Sequence, residues 1–112
     1  MHANMPVQKL KLTFAAKNLP NMDTLSKSDP FLIMYQKNGT SWVKIGKTEV
    51  IHDNLNPSWV TAIPVIYNFE KNDEFKAEVF DIDDDANMQD LTAHDHLGCL
   101  EFTLHEIVTC RD

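Results

Sequence analysis

A chain of 112 residues with 43% hydrophobic content fits one domain with a modest core, and 10 basic against 17 acidic residues give it a formal charge of −7. Phosphate contacts need clustered lysine and arginine, so this balance excludes nucleic acid as a partner. It also argues against unaided attraction to anionic lipid, so a membrane role would need something that inverts the local charge. Met1 to Pro6 lacks the basic and apolar regions of a secretory signal, and no apolar run reaches membrane-spanning length. Cys99 and Cys110 have no close metal-type spacing and read as reduced thiols in a cytosolic protein.

In chain order, Leu10, Leu12, Phe14 and Ala16 alternate with Lys9, Lys11 and Thr13, the period-2 pattern of a strand with one wet face. The acidic stretch Met22-Asp23-Thr24-Leu25-Ser26-Lys27-Ser28-Asp29-Pro30 follows, and Pro30 biases Asp29 toward an extended backbone. Phe31 to Tyr35 is a continuous apolar run, suited to a strand buried on both faces. Asn38-Gly39-Thr40 reads as a hairpin turn rather than a glycosylation site. A β-branched strand from Trp42 to Ile51 is broken by Gly46, a candidate bulge. After the Asn54-Leu55-Asn56-Pro57 turn, alternation runs from Trp59 to Phe69, and Pro64 within it marks an edge strand. Phe75 to Ile82 and Leu97 to Leu104 supply two more strands, and His105 to Val108 a short helical turn. About six strands without a long amphipathic helix predict an all-β, antiparallel β-sandwich over residues 1–112, its core at about 7–109.

The chemistry sits in two acidic stretches. Asp23 and Asp29 flank the first, Asp81 and Asp83 open the second, and Asp95 closes it just before Gly98. Asp81 and Asp83 are two apart, so in an extended backbone both side chains leave the same face. If the strands bring the five together, each neighbouring pair repels by on the order of a few kcal/mol at an effective dielectric near 20. A hard cation relieves that, and an oxygen-only ligand set points to Ca²⁺, with the carbonyls of Met22 and Ile82 as further donors. The competing reading is a pair of solvated acidic turns, and the residues alone leave the two open.

Leu25-Ser26-Lys27-Ser28-Asp29-Pro30-Phe31, the Asn56-Pro57 turn, Val79-Phe80-Asp81-Ile82-Asp83 and Asp95-His96-Leu97-Gly98 together resemble a C2 domain. With Gly46-Lys47-Thr48-Glu49-Val50-Ile51 and Leu55-Asn56-Pro57 they are most similar to the first C2 domain of a copine, from about Val7 to Val108. The resemblance implies a Greek-key sandwich of type II topology that holds Ca²⁺ in loops at one tip and docks on phospholipid. It assigns Asp23 and Asp29 to the first loop's ligands, and Asp81, Asp83 and Asp95 to the third's. The stretch from Asp84 to His94 is longer than in the commonest C2 domains and adds Asp84, Asp85 and Asp90. Two further strands expected of the family find no sequence before Asp112, so the final strands are expected to be missing.

Leu25, Met88 and Leu91, with Lys27 beside them, fall at the expected loop tips and are candidate membrane contacts. His94 and His96 flank Asp95, but zinc wants a Cys- or His-rich set that is not there. Lys44 and Lys47 are too few for a basic groove and read as a solvated strand face. No nucleophile–histidine pairing or phosphate-cradling glycine loop is evident, so no enzyme is expected. The expected function is calcium-dependent docking on anionic phospholipid by a cytoplasmic module recruited to membranes as calcium rises. The alternative is a calcium-independent protein-interaction module that binds a partner through its faces or an exposed edge.

Overall fold

The computed structural model describes residues 7–21, 27–68, 70–82 and 95–109. Six strands and one short helix follow in order: β1 (Val7–Leu12), β2 (Pro30–Asn38), β3 (Ser41–Lys47), β4 (Ile63–Asn68), β5 (Glu74–Asp81), β6 (Asp95–Thr103) and α1 (Leu104–Thr109). All pairings are antiparallel. β1 pairs with β4 in one sheet, and the other has the order β3-β2-β5-β6. The two form the expected antiparallel sandwich. No helix among the described residues is long and apolar enough to cross a membrane.

The core lies between the sheets. Ile63 and Val65 of β4 meet Leu32 and Met34 of β2, Phe75, Ala77 and Val79 of β5, and Phe102 of β6, with Trp59 buried among them. Leu10 and Leu12 alternate inward with exposed Lys9 and Lys11, as the period-2 pattern requires. β2 breaks that alternation because both its faces are covered. Phe31 and Ile33 pack on the other side of the sheet with Phe80, Ile82 and Val50. Phe31 and Phe80 are register partners with stacked rings 5.8 Å apart, a pairing worth about 0.5–1.5 kcal/mol beyond area burial.

Three predicted strands are shorter than their apolar patterns, two of them because a side chain takes over backbone bonds. β3 stops at Lys47 rather than Ile51. There Thr48 turns inward, is buried, and its hydroxyl accepts the Leu32 N–H at 2.9 Å. β4 begins at Ile63 rather than Trp59, since the Glu49 carboxylate accepts the N–H groups of Val60 (2.8 Å) and Thr61 (3.2 Å). β1 likewise ends at Leu12, and Phe14 and Ala16 continue as single backbone bonds to Trp59 and Pro57.

The Asn38–Ser41 turn and the Gly46 irregularity are both present. Gly39 takes φ +66°, the left-handed region glycine enters without strain. Met34 pairs with Gly46 and Tyr35 with Lys44, leaving Ile45 as the extra residue of a bulge. A Cβ at Gly46 would lie 2.8 Å from Cγ2 of the buried, β-branched Ile63. Pro64 sits in β4, which among the described residues has a strand on one side only, as an edge proline should. α1 starts with a capping box that sequence reading overlooked. Thr103 Oγ1 accepts the Glu106 N–H at 3.2 Å, and Glu106 Oε1 accepts the Thr103 N–H at 2.8 Å.

Two outcomes follow. Gly46→Ala must displace Ile63 and should cost about 1–3 kcal/mol in urea unfolding; an unchanged midpoint would contradict the close β3–β4 approach. The Thr61 side chain and the Val60 N–H hold the Glu49 carboxyl at a pKa of about 2, below its ordinary 4.5. Its contribution is therefore complete above pH 4.5 and lost as pH falls toward 2. Glu49→Gln should flatten the acid-side stability profile across that window, and an unaltered slope would dismiss the role.

Candidate functional site

The acidic residues come together because three strand ends align. Pro30 of β2 is the register partner of Asp81, and Asp81 that of Asp95. Asp29, Asp81 and Asp95 therefore stand side by side at one end of the four-stranded sheet. Asp81 is fully buried, and its Oδ1 accepts the Asp29 N–H at 2.8 Å. A buried carboxylate is costly unless hydrogen-bonded, so this bond ties the start of β2 to the end of β5. The Ile82 N–H answers with a bond to the Asp29 carbonyl at 3.1 Å.

A third segment, Thr48 to Pro57, closes against this pair. Asp29 Oδ1 accepts the Asp53 N–H at 2.6 Å, and Asp53 Oδ1 accepts the Lys27 N–H at 2.7 Å. His52 Nδ1 lies 3.7 Å from Asp29 Oδ1. Asp53 adopts φ +57°, which aspartate tolerates through its local hydrogen bonds. Ser28 is fully buried with its hydroxyl donating to the Pro20 carbonyl at 3.0 Å, and its own carbonyl accepts the Asn54 N–H at 2.9 Å. Trp59 Nε1 donates to the Pro30 carbonyl at 3.2 Å and anchors the site to the core.

Of the predicted ligands, Asp29, Asp81, Asp95 and Ile82 are at this end. Asp29 is partly exposed, Asp95 half-buried and Ile82 buried. Lys27 is exposed. Met22, Asp23, Leu25, Asp83, Met88 and Leu91 lie outside the described residues, as do His94 and Cys110. Cys99 is a free, exposed thiol. Asp53 and His52 were missed. The run His52-Asp53-Asn54 between Ile51 and Leu55 is a polar signal, but nothing in its spacing shows that it folds back on Asp29.

Among the described residues no three His, Cys, Asp or Glu side chains form a group that could hold a metal ion. The donors aligned at the sheet end are nonetheless all carboxylate oxygens, the chemistry Ca²⁺ takes and zinc sites rarely use alone. In that respect the residues present fit a hard cation. Elsewhere, Lys76 Nζ sits 5.0 Å from the Tyr35 ring centre and 4.7 Å from that of Trp42, while Glu78 Oε1 is 3.7 Å from the same amine. Burial and the Glu78 charge push the Tyr35 hydroxyl pKa up. Lys37 is partnered by Glu74 at 3.7 Å.

A C2 domain family model matches residues 9–111. The chain belongs to the C2 domain family. It is 36% identical to Copine-E of Dictyostelium discoideum across 90% of its length, and 32% identical to nicotinic receptor-associated protein 1 of Caenorhabditis elegans across 96%. It is thus a copine-like C2 domain that spans only 18–20% of these two relatives. Among solved structures, the calcium-bound tandem C2 domains of extended-synaptotagmin 2 align with a TM-score of 0.64 at 27% identity, covering 91% of this chain and 35% of that one.

Neutralising Asp81 would relieve repulsion among the acidic groups, but its carboxylate also accepts a backbone bond. Asp81→Asn keeps an oxygen acceptor, whereas Asp81→Ala orphans the Asp29 N–H. In chelator, the alanine variant should lose about 1–3 kcal/mol by urea unfolding and the asparagine variant less. Equal stability for Asp81→Ala and the parent chain would show that the bond does not hold the two strand ends.

Proposed function

We propose that this chain is a non-catalytic module that docks on anionic phospholipid in a Ca²⁺-dependent manner, and that it is cytoplasmic until calcium recruits it to a membrane. The observation that supports this is the alignment of Asp29, Asp81 and Asp95 on neighbouring strand ends, with Asp29 and Asp81 tied by a hydrogen bond. Membership of a family that includes a calcium-bound neighbour points the same way.

In this reading Asp29, Asp81 and Asp95 are joined by Asp23 and Asp83 and by the carbonyls of Met22 and Ile82. Bound Ca²⁺ supplies positive charge and open coordination positions that accept phosphate oxygens. The protein's part is positional. Asp81, buried and hydrogen-bonded to the Asp29 N–H, fixes the floor of the proposed site, while Asp29 and Asp95 present their carboxylates from either side. Asp53 holds the first loop by its bond to the Lys27 N–H. Without a cation, the −7 chain repels anionic lipid. Ion and lipid then bind with mutual reinforcement, since each favours the other's site. In this reading Lys27, and Leu25, Met88 and Leu91 outside the described residues, contact the membrane.

The test is co-sedimentation with phosphatidylserine-containing and purely phosphatidylcholine vesicles, in calcium and in chelator. The chain should pellet only with the anionic vesicles in calcium. Asp95→Asn should weaken that binding by about tenfold or more without lowering the melting temperature in chelator. Binding that persists in chelator, or none in either condition, would contradict the proposal.

A further inference from the structure

β3 is an edge of the four-stranded sheet, at the side opposite β6 and α1, and among the described residues it pairs only with β2. In an antiparallel pair the hydrogen-bonded positions alternate, and the pair that closes a two-residue turn, here Asn38 with Ser41, is a bonded one. Trp42 and Lys44 therefore turn their N–H and C=O groups to the free edge, while those of Val43 face β2. The inner side of this edge is apolar. Val43 is the partner of Gln36, next to the Met34–Gly46 pair that faces the core, yet it is 45% exposed. The bulge residue Ile45 packs on the core and lines a groove of about 690 Å³ with Val65 and Ile66 of β4. A second groove of about 330 Å³ lies between Ile45 and Val43. An open strand edge beside apolar grooves is a template for an added strand.

Charge says which strand fits. Ser41–Lys47 carries Lys44 and Lys47 and no acidic residue. Lys44 pairs with Tyr35 and Lys47 with Ile33, so both stand on the outer face, where neither has a carboxylate partner among the described residues. The other two lysines of that face are already engaged. Lys37 and Lys76 are met by Glu74 and Glu78, and both lie over the Trp42 ring, at 5.9 and 4.7 Å. The two uncommitted cations thus follow one another along the edge, which suits carboxylates repeated along a strand. A second copy approaching β3 to β3 would set lysine near lysine, which is destabilising. We propose that the free edge of β3 is a docking site for an extended segment of another polypeptide, acidic on one face and apolar on the other. Its backbone pairs with the free groups of Trp42 and Lys44. Its acidic residues lie beside Lys44 and Lys47, and its apolar residues cover Val43 and Ile45. None of these groups belongs to the acidic end, so docking does not depend on calcium.

The test uses the full 112-residue chain in chelator with a blocked synthetic peptide that alternates valine with glutamate. Its counterpart carries lysine in place of glutamate. The glutamate peptide should slow amide exchange at Trp42 and Lys44 by about tenfold or more and change Val43 far less, because only the first two amides gain a partner. The lysine peptide should bind about tenfold more weakly. Lys44→Glu combined with Lys47→Glu should reverse the preference between the two peptides, and since neither lysine holds an ion pair this variant should keep the parent melting temperature. Equal binding of the two peptides by the parent chain, or no alternation in the protection, would overturn the proposal. Phosphatidylserine vesicles that bind in chelator and are lost with the same double variant, without peptide binding, would overturn it too, by giving the edge to a lipid surface.

Discussion

The bond from the Asp29 N–H to the buried Asp81 carboxylate governs the acidic end of this domain. It joins two strands that lie 52 residues apart in the chain, and it does so with a group that would be costly to bury without such partners. Everything else at that end is built outward from it. The Asp29 carboxylate can receive the Asp53 N–H because its own backbone is held, and Asp53 in turn can fix Lys27. Negative charge is thus concentrated by hydrogen bonds that belong to the fold itself. The proposed cation site would on that basis be partly set in place before a ligand arrives, which would lower the ordering cost of binding.

The same economy recurs away from the acidic end. Thr48 and Glu49, adjacent in sequence, end one strand and delay another by capturing backbone N–H groups that a ladder would otherwise use. That leaves the Thr48–Pro57 segment free to fold over the start of β2. Trp59 links it to the core through the Pro30 carbonyl. Packing, the middle loop and the acidic end are therefore coupled through β2, the strand buried on both faces.

Much of this was legible in the sequence. Alternation in β1 and β4, the unbroken apolar run of β2, the glycine turn and the edge proline each follow from side-chain chemistry that acts locally. Strand ends were less legible, since Thr48 and Glu49 compete for backbone bonds with partners 11 to 16 residues away, and no local propensity reports that. The acidic residues were visible as spacing, and strand register brings Asp29, Asp81 and Asp95 to one end of the sheet, while Asp23 and Asp83 lie outside the described residues. The role of Asp53 was not visible, because it depends on a middle loop closing onto a residue 24 positions earlier. Nor could the sequence show that Asp81 is a structural acceptor as well as a candidate ligand.

The central claim is that Asp29, Asp81 and Asp95 form one side of a cation site preorganised at a single end of the sheet. A calcium titration followed by backbone NMR tests it most directly. The account predicts saturable shifts at the amides of Asp29, Asp53, Asp81 and Asp95, with the Gly39 turn at the far end of β2 unmoved. Shifts that never saturate and spread over acidic residues across the whole surface, or no shifts at all, would contradict it.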